Sequence, residues 1–406
     1  MLPLHLIRVP SPPVSSDHSA QPCHRVQLIG TAILLSFVLA ACGSERDARP
    51  SQGEPAIVEN AAAVWPQGAE WSVGSEPVVD IGSENQPGHQ LHGVAGAIRL
   101  ADGKIAVGNG GSSQVHVFDR SGRLLATAGR AGRGPEEFRS LEALVSFPGD
   151  SLAVLDAGNG RFTIISPEGR VARSVSIRSV GPGAVLVGVL KDGSFIMGVH
   201  RPAAPREGVS RDSVAYVRFS REGSRMDTIH TGPGTTQFQR ISGRRVSRIT
   251  VPFAPAPSAT AHGSHIYVGS TDAYQIRQYG EAGRLERIIR RDVPRRPFTQ
   301  AHLDRFVESF PRLGEALQGM PRPPYLPAFS AMLTDADGNL WVQDYQELGS
   351  PGSTWAVFQQ SGRLLGTVRL PDGFRATDIG REHVTGVWSD EFDVEHVRSY
   401  PLHKPH

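Results

Sequence analysis

Glycine-centred turns recur along this chain at related spacings, between short runs rich in Val, Ile and Leu. One set is centred on Gly103, Gly149, Gly193, Gly263, Gly338 and Gly380. A second set follows the first five of these, at Gly122, Gly169, Gly223, Gly283 and Gly362. Asp-Gly and Ser-Gly pairs supply the positive φ that tight hairpins need. Each repeat therefore predicts four strands joined by a turn, a loop and a second turn.

The spacing of the first set and the alternation within the strands define the fold class. Three of its intervals are 46, 44 and 42 residues, and the two longer ones are 70 and 75 residues. Residues 104–107 (KIAV) and 114–118 (QVHVF) alternate with the period of a half-buried strand. Four antiparallel strands repeated at about 40–50 residues are typical of a propeller blade. We predict an all-β, six-bladed β-propeller.

The last repeat contains only three recognisable strands, near residues 376–380, 383–388 and 395–400. Residues 77–82 (PVVDIG), at the start of the repeat region, have the character of the outer strands. Pairing this segment with the last blade would close the ring and remove its open edges, which otherwise invite aggregation. We predict that the last blade is closed by this N-terminal strand.

Two segments resemble known propeller sequences. Residues 154–165 (VLDAGNGRFTII) resemble the NHL-repeat consensus, which places an Asp, an Asn and an Arg between the second and third strands. Residues 129–138 (GRAGRGPEEF) resemble the inter-blade signature of uncharacterised bacterial six-bladed propeller lipoproteins, and the resemblance spans about residues 76–402. We interpret Asp156, Asn159 and Arg161 as a hydrogen-bonded loop tying neighbouring strands, because Asn suits left-handed turns and Arg bridges carbonyl groups.

The N-terminal region indicates export. Residues 28–41 (LIGTAILLSFVLAA) form an apolar run of 14 residues, which is short for a transmembrane helix and typical of a signal-peptide core. The following Cys42 makes residues 39–44 (LAACGS) resemble a bacterial lipobox, although a general small-residue cleavage site with an incidental cysteine is the alternative. The resemblance implies lipidation of Cys42, and Gly43 after it implies the outer membrane, facing the periplasm or the cell surface.

These features divide the chain into three parts. We predict a lipoprotein signal peptide over residues 1–41 and a six-bladed propeller over residues 70–406. Between them, residues 42–69 comprise the lipidated cysteine and a segment that is small, polar and Pro-containing without sustained periodicity. Such a composition predicts a flexible tether.

Charge and cysteine content exclude several classes of protein. The chain has 42 Lys+Arg against 40 Asp+Glu and no long basic block, so a nucleic-acid partner is not expected. Its two cysteines are Cys23 and Cys42, and the first lies in the predicted signal peptide. An intrachain disulfide or a cysteine-based metal site is therefore not expected in the mature protein.

Four insertions break the regular repeat, and all are predicted on the face opposite the glycine turns. They are residues 200–213, 232–255, 292–327 and 345–354. The third contains an apolar stripe at helical spacing after a potential Thr299 N-cap, formed by Leu303, Phe306, Val307 and Phe310. We predict a short helical insertion near residues 298–318 that packs on the propeller as a lid. Elaborated loops on one side of a rigid scaffold are a common place for binding.

Familiar catalytic motifs are absent from the sequence. It has no G-x-S-x-G elbow, H-E-x-x-H pair or Gly-rich phosphate loop. His262 and His265 flank a turn without a third ligand nearby in sequence, and residues 335–339 (DADGN) lack the later Gly and Glu of a calcium loop. The predicted innermost strands offer only Glu142 and Asp378 as carboxylates. We expect no metal, no cofactor and no catalytic residue, although catalysis stays open.

Arginines in the predicted elaborated face favour an anionic ligand. They are Arg130, Arg133, Arg139, Arg240, Arg244, Arg245, Arg248, Arg295 and Arg296. The alternative is that these arginines are simply exposed, many beside a carboxylate. The sequence predicts a lipid-anchored binding or scaffolding module of the cell envelope for an unknown protein, peptide, glycan or other anionic ligand. The rival hypothesis is a metal-dependent hydrolase or lyase, similar to the lactonases built on six-bladed propellers.

The predicted lipidation can be tested at one residue. Cys42→Ala removes the only thiol of the lipobox-like segment, so we expect a protein that no longer incorporates labelled fatty acid and leaves the membrane fraction. Unchanged labelling and fractionation would contradict the anchor.

Overall fold

The computed structural model describes residues 54–82, 89–181, 183–317 and 319–405. The predicted signal peptide, Cys42 and the first part of the predicted tether lie outside these residues. No helix in the described ranges is long and apolar enough to cross a membrane.

Three short strands precede the repeats: β1 (Ala56–Asn60), β2 (Ser72–Val73) and β3 (Val79–Ile81). Blade 1 consists of β4 (Val94–Arg99), β5 (Ile105–Asn109), β6 (Gln114–Phe118) and β7 (Leu124–Ala128). Blade 2 consists of β8 (Leu141–Phe147), β9 (Ser151–Asp156), β10 (Arg161–Ile165) and β11 (Val171–Ser176). Blade 3 consists of β12 (Val185–Val189), β13 (Phe195–Arg201), β14 (Gly208–Phe219) and β15 (Arg225–Ser242), with an additional β16 (Arg245–Thr250).

Blade 4 consists of β17 (Pro257–His262), β18 (His265–Ser270), β19 (Gln275–Gly280) and β20 (Leu285–Arg291). Blade 5 consists of β21 (Phe329–Thr334), β22 (Leu340–Asp344), β23 (Ser353–Phe358) and β24 (Leu364–Leu370). Blade 6 contains β25 (Phe374–Ile379), β26 (His383–Ser389) and β27 (Glu395–His403). Two helices, α1 (Gln300–Ser309) and α2 (Gly314–Leu317), lie between blades 4 and 5.

Within each blade, consecutive strands pair antiparallel, as alternating strands joined by tight turns must. The first strands of neighbouring blades lie against each other in the order β4, β8, β12, β17, β21, β25 and back to β4. They are the predicted innermost strands. The predicted six-bladed, all-β propeller is confirmed.

The direction of the strands gives the disc two different faces. The glycine turns, such as those at Gly103 (φ +86°) and Gly122 (φ +87°), lie on one side, which we call the turn face. The loops between the second and third strands and the connections between blades lie on the other, which we call the loop face. All four predicted insertions fall on the loop face.

Apolar side chains fill the space between adjacent blades. Between blades 2 and 3, the rings of Phe162 and Phe195 have centroids 4.5 Å apart, and Phe219 stacks on Phe195 at 5.5 Å. All three side chains are almost fully buried. Burial of this kind stabilises each blade through its neighbours, so the blades depend on a complete ring.

Ring closure follows the prediction. β3 pairs antiparallel with β27, with Ile81 opposite Val397 and Val79 opposite Ser399. Val79 and Ile81 are buried in one apolar cluster with residues of blade 1, including Phe118. An N-terminal strand thus completes the C-terminal blade and joins it to the first.

The residues before β3 form a strap around the rim of the ring. β1 adds to blade 4 as a parallel fifth strand beside β20. Buried Asn60 donates to Gly362 O at 3.0 Å and accepts the Leu364 N–H at 2.7 Å. Trp65 lies on Gly366, where any side chain would overlap its ring. The predicted flexible tether therefore does not extend through this segment, because its polar and aromatic groups pair with blades 4 and 5.

The third insertion contains the predicted helix. The Thr299 N–H donates to His302 Nδ1 at 2.9 Å at the start of α1. Phe306 is 2% exposed and packs edge-on against Phe253, with ring centroids 5.4 Å apart. The apolar face of α1 thus packs against the second insertion, which includes part of β15 and all of β16. Together they form an apolar cluster distinct from those between the blades.

The closing strand should contribute more stability than the strap. Val79→Ala/Ile81→Ala empties buried space between two blades, so we expect a loss of roughly 3–6 kcal/mol in the free energy of unfolding. The matched variant Ile57→Ala/Val58→Ala changes similar side chains in β1, where Ile57 is 55% exposed, and should lose much less. Equilibrium urea denaturation measures both, and equal losses would contradict closure by β3.

Candidate functional site

A cavity of about 900 Å³ opens on the loop face between blades 2 and 3. Blade 2 lines it with the loop between β9 and β10, including Asn159, and with Ser174 and Ser176 of β11. Blade 3 contributes Ala184 and Met197. The volume lies within the range of roughly 300–1,000 Å³ that is typical of small-ligand sites.

Asp156 organises the wall of this cavity. Its side chain is fully buried and accepts the backbone N–H groups of Arg139 at 3.1 Å and Ser140 at 3.0 Å. Asn159 Nδ2 donates to the same carboxylate at 2.6 Å and to Gly132 O at 3.0 Å. One carboxylate therefore fixes the β9–β10 loop and the chain entering β8.

Arg161 connects this loop to the inter-blade segment 129–138. Its Nη2 donates to Gly134 O at 2.5 Å and also to Glu137 O. Its Nε lies 3.5 Å from Asp156 Oδ2, which neutralises the guanidinium charge. Asp156, Asn159 and Arg161 thus belong to one polar network beneath the cavity, and Arg161 has little charge left for a ligand.

The free charge in the cavity is positive. Arg133, Arg139 and Arg178 line it with exposed side chains, and the structure records no ion pair between these three and any described residue. Among the described lining residues Glu142 is the only acid, and its Oε1 accepts the Ser140 hydroxyl at 3.2 Å. An anion entering the cavity would meet three guanidinium groups against one carboxylate.

The structure separates the other predicted binding arginines. Arg130 pairs with Glu137 at 2.9 Å, and hydrogen bonds from the Gly134 N–H and from Arg130 hold the pKa of that carboxyl below its usual value. Arg295 stacks on Tyr325, and Arg296 donates to Tyr345 O at 2.6 Å. The remaining four lie on β15, β16 and the turn between them: Arg240, Arg244, Arg245 and Arg248.

Of the nine predicted arginines, only Arg133 and Arg139 line the cavity. Arg178 is the third exposed arginine of the cavity, and it was not predicted from the sequence. It follows β11 in the connection to blade 3, where no motif marks it. The neighbouring Ile177 N–H donates to Gly160 O at 2.8 Å, which places Arg178 beside the loop between β9 and β10 and at the same opening.

The two candidate carboxylates of the innermost strands lie at opposite faces of the disc. Glu142 is near the loop-face end of β8, and Asp378 is near the turn-face end of β25. Asp378 Oδ2 accepts the Arg99 N–H at 3.1 Å and lies 3.3 Å from His383 Nε2. The two carboxylates therefore cannot share one metal or one substrate atom.

In the part of the chain that the structure describes, the histidine pair gains no third metal ligand. His262 and His265 face each other across the turn between β17 and β18, and burial lowers the pKa of His262. Within the described residues, no group of three or more His, Cys, Asp or Glu is placed to hold a metal ion.

The Asp156 network gives a stability prediction. Asp156→Ala leaves several buried N–H donors without an acceptor, so we expect a loss of roughly 2–4 kcal/mol. Asp227→Ala, at an exposed position of β15, serves as the control and should change the free energy of unfolding little. Chemical denaturation that finds the two variants equally stable would contradict the role of the network.

Comparison with known proteins agrees with the architecture. A family model described as a 6-bladed beta-propeller matches residues 90–163. No curated protein matches the sequence. Among solved structures, a member of the DUF4221 family from Bacteroides vulgatus is 9% identical with a TM-score of 0.50, over 83% of this chain and 99% of its own.

Two further solved structures have the same kind of likeness. One, named as a candidate exported protein of Bacteroides fragilis, is 10% identical with a TM-score of 0.47. The match covers 86% of this chain and 100% of that protein. A gluconolactonase from Xanthomonas campestris is 15% identical with a TM-score of 0.40, over 77% and 87%. Neither of these two likenesses supports a conclusion about this chain, and the six-bladed propeller rests on the family model and on the strand order.

Proposed function

We propose that this chain is a binding module of the cell envelope that takes up an anionic ligand in the cavity between blades 2 and 3. The observation that carries the proposal is the convergence of Arg133, Arg139 and Arg178 on an opening that contains one carboxylate. Guanidinium groups bind carboxylates and phosphates through paired, charge-assisted hydrogen bonds. The ligand's chemistry is therefore that of a carboxylated or phosphorylated small molecule, such as an acidic saccharide.

The cavity combines charge with other contacts that such a ligand can use. Ser140, Ser174 and Ser176 line the cavity with hydroxyl groups, and the partly exposed Ala184 adds apolar surface. The wall is already ordered by the Asp156 network, so binding needs little rearrangement of the backbone. A preformed wall lowers the entropic cost of association.

An envelope location rests on the proposed anchor at Cys42. Eleven residues separate Cys42 from Glu54, the first described residue, and can span at most about 40 Å. Strand β1 then fixes the chain to the outer edge of blade 4. A lipid at Cys42 would hold the ring close to the bilayer by its rim.

The binding function can be tested by reversing charge in the cavity. Isothermal titration with trigalacturonate and with glucose 6-phosphate should detect binding of at least one probe to the wild type. Arg139→Glu/Arg178→Glu should weaken that binding by about tenfold or more. The charge-matched control Arg120→Glu/Arg170→Glu, on the turn face, should bind as the wild type does. Equal binding by both double variants, or no binding of either probe to the wild type, would contradict the proposal.

The rival function, a metal-dependent hydrolase or lyase of the lactonase kind, predicts a different result. We expect no turnover of lactones, phosphotriesters or glycosides with added Ca²⁺ or Zn²⁺, because Glu142 and Asp378 lie at opposite faces. Turnover that a chelator removes and that Glu142→Gln or Asp378→Asn abolishes would favour the enzyme.

A further inference from the structure

Blade 3 carries an extension that the other blades lack. β14 has 12 residues and β15 has 18, whereas their counterparts in blade 2 have 5 and 6. Residues 208–211 of β14, 236–242 of β15 and 245–250 of β16 form a three-stranded sheet on the loop face, which we call the flap. We propose that the free edge of β16 binds an extended acidic peptide segment of a partner protein as an additional strand.

The outer edge of β16 is open. This strand ends the order of its sheet and pairs only with β15 among the described strands. Arg245, Val246 and Ser247 are exposed along that edge. Exposed edges present unpaired N–H and C=O groups in a row, which is the template that strand addition uses.

The charge of the flap selects an acidic partner. No Asp or Glu occurs between Asp227 and Asp272, and the four arginines of this stretch all lie on β15, β16 and their turn. The nearby acid, Glu207, already accepts the Ile241 N–H at 2.6 Å. The structure records no ion pair with a described residue for Arg244, Arg245 or Arg248. The buried Nε of Arg248 has no hydrogen-bond partner.

The pairing register shows what side chains the added strand should carry. Val246 and Ile241 lie opposite each other and are 37% and 41% exposed, and Arg248 shares their face. Arg245 points to the other face, because successive side chains alternate. A suitable segment therefore has an apolar residue beside Val246 and acidic residues around it on both faces.

The flap is held rigidly at its base. Phe238 and Ile249, directly opposite each other, pack in the same apolar cluster as Phe306 of α1. Gln239 is fully buried and donates to Ser210 Oγ at 2.6 Å. An edge that is already ordered lowers the entropic cost of adding a strand. The flap and the cavity between blades 2 and 3 share no lining residue, so either proposal can fail without the other.

Fluorescence anisotropy with a labelled peptide, Glu-Glu-Glu-Val-Glu-Glu-Glu, tests strand addition on the intact protein. The wild type should bind this peptide and should not bind its Lys counterpart. Arg245→Glu/Arg248→Glu should weaken binding by about tenfold or more, whereas Arg120→Glu/Arg170→Glu should leave it unchanged. Both variants change exposed or partly exposed side chains, and their thermal stability is measured beside the binding.

Backbone methylation separates strand addition from a general attraction to polyanions. Two versions of the acidic peptide carry N-methyl groups at odd or at even residues. If the peptide joins β16, one version should lose binding and the other should keep it, because only alternate N–H groups face the sheet. Equal binding of both versions would overturn the proposal. So would direct binding of heparin or phosphatidylglycerol vesicles that depends on Arg245 and Arg248, if the acidic peptide itself does not bind.

Discussion

The pairing of β3 with β27 is the contact on which the rest of this structure depends. Each blade buries its apolar faces against two neighbours, so a propeller with one unpaired edge leaves both blade 6 and blade 1 partly uncovered. β3 covers that edge with two buried side chains, Val79 and Ile81. Asp80, between them on the outward face, accepts a hydrogen bond from Arg398 Nε at 2.8 Å. This bond fixes the outward face of β3 to β27. A strand that precedes blade 1 in the chain is thereby part of blade 6, which ends the chain of repeats.

A closed ring gives the loop face a fixed base, and the polar network at Asp156 extends that order into the loops. The buried carboxylate positions the chain before β8, and Arg161 positions the segment 129–138 over it. Arg133 and Arg139 lie in the segment that this network fixes, and Arg178 follows β11 beside it. Function on this scaffold is therefore a matter of which side chains the loops present, since the blades themselves supply geometry and stability.

The sequence predicted the regular parts of the molecule because these depend on local signals. Glycine turns and strand alternation located all six blades, and the missing strand of blade 6 pointed to residues 77–82. The helix at Gln300–Ser309 followed from its apolar stripe and its Thr299 cap. Such features repeat at a fixed period or are completed within a few residues.

The irregular parts depend on contacts between distant residues, which no local pattern records. β1 has no partner near it in sequence, and its pairing with β20 joins residues more than two hundred positions apart. The strands of the second insertion carry few apolar residues beyond Phe238, Ile241, Val246 and Ile249. Arg139 and Arg178 line one cavity because they lie beside Gly158 and Gly160 of the loop between β9 and β10. The arginines that cluster in sequence lie on the separate flap.

Amide hydrogen exchange at Val79–Ile81 tests the central claim, that the N-terminal strand closes the ring, most directly. If β3 closes the ring, its hydrogen-bonded amides should exchange as slowly as those of β26, because both sets become exposed only when blade 6 opens. Exchange of the β3 amides at the rate of an exposed chain end, while β26 stays protected, would contradict closure by this strand.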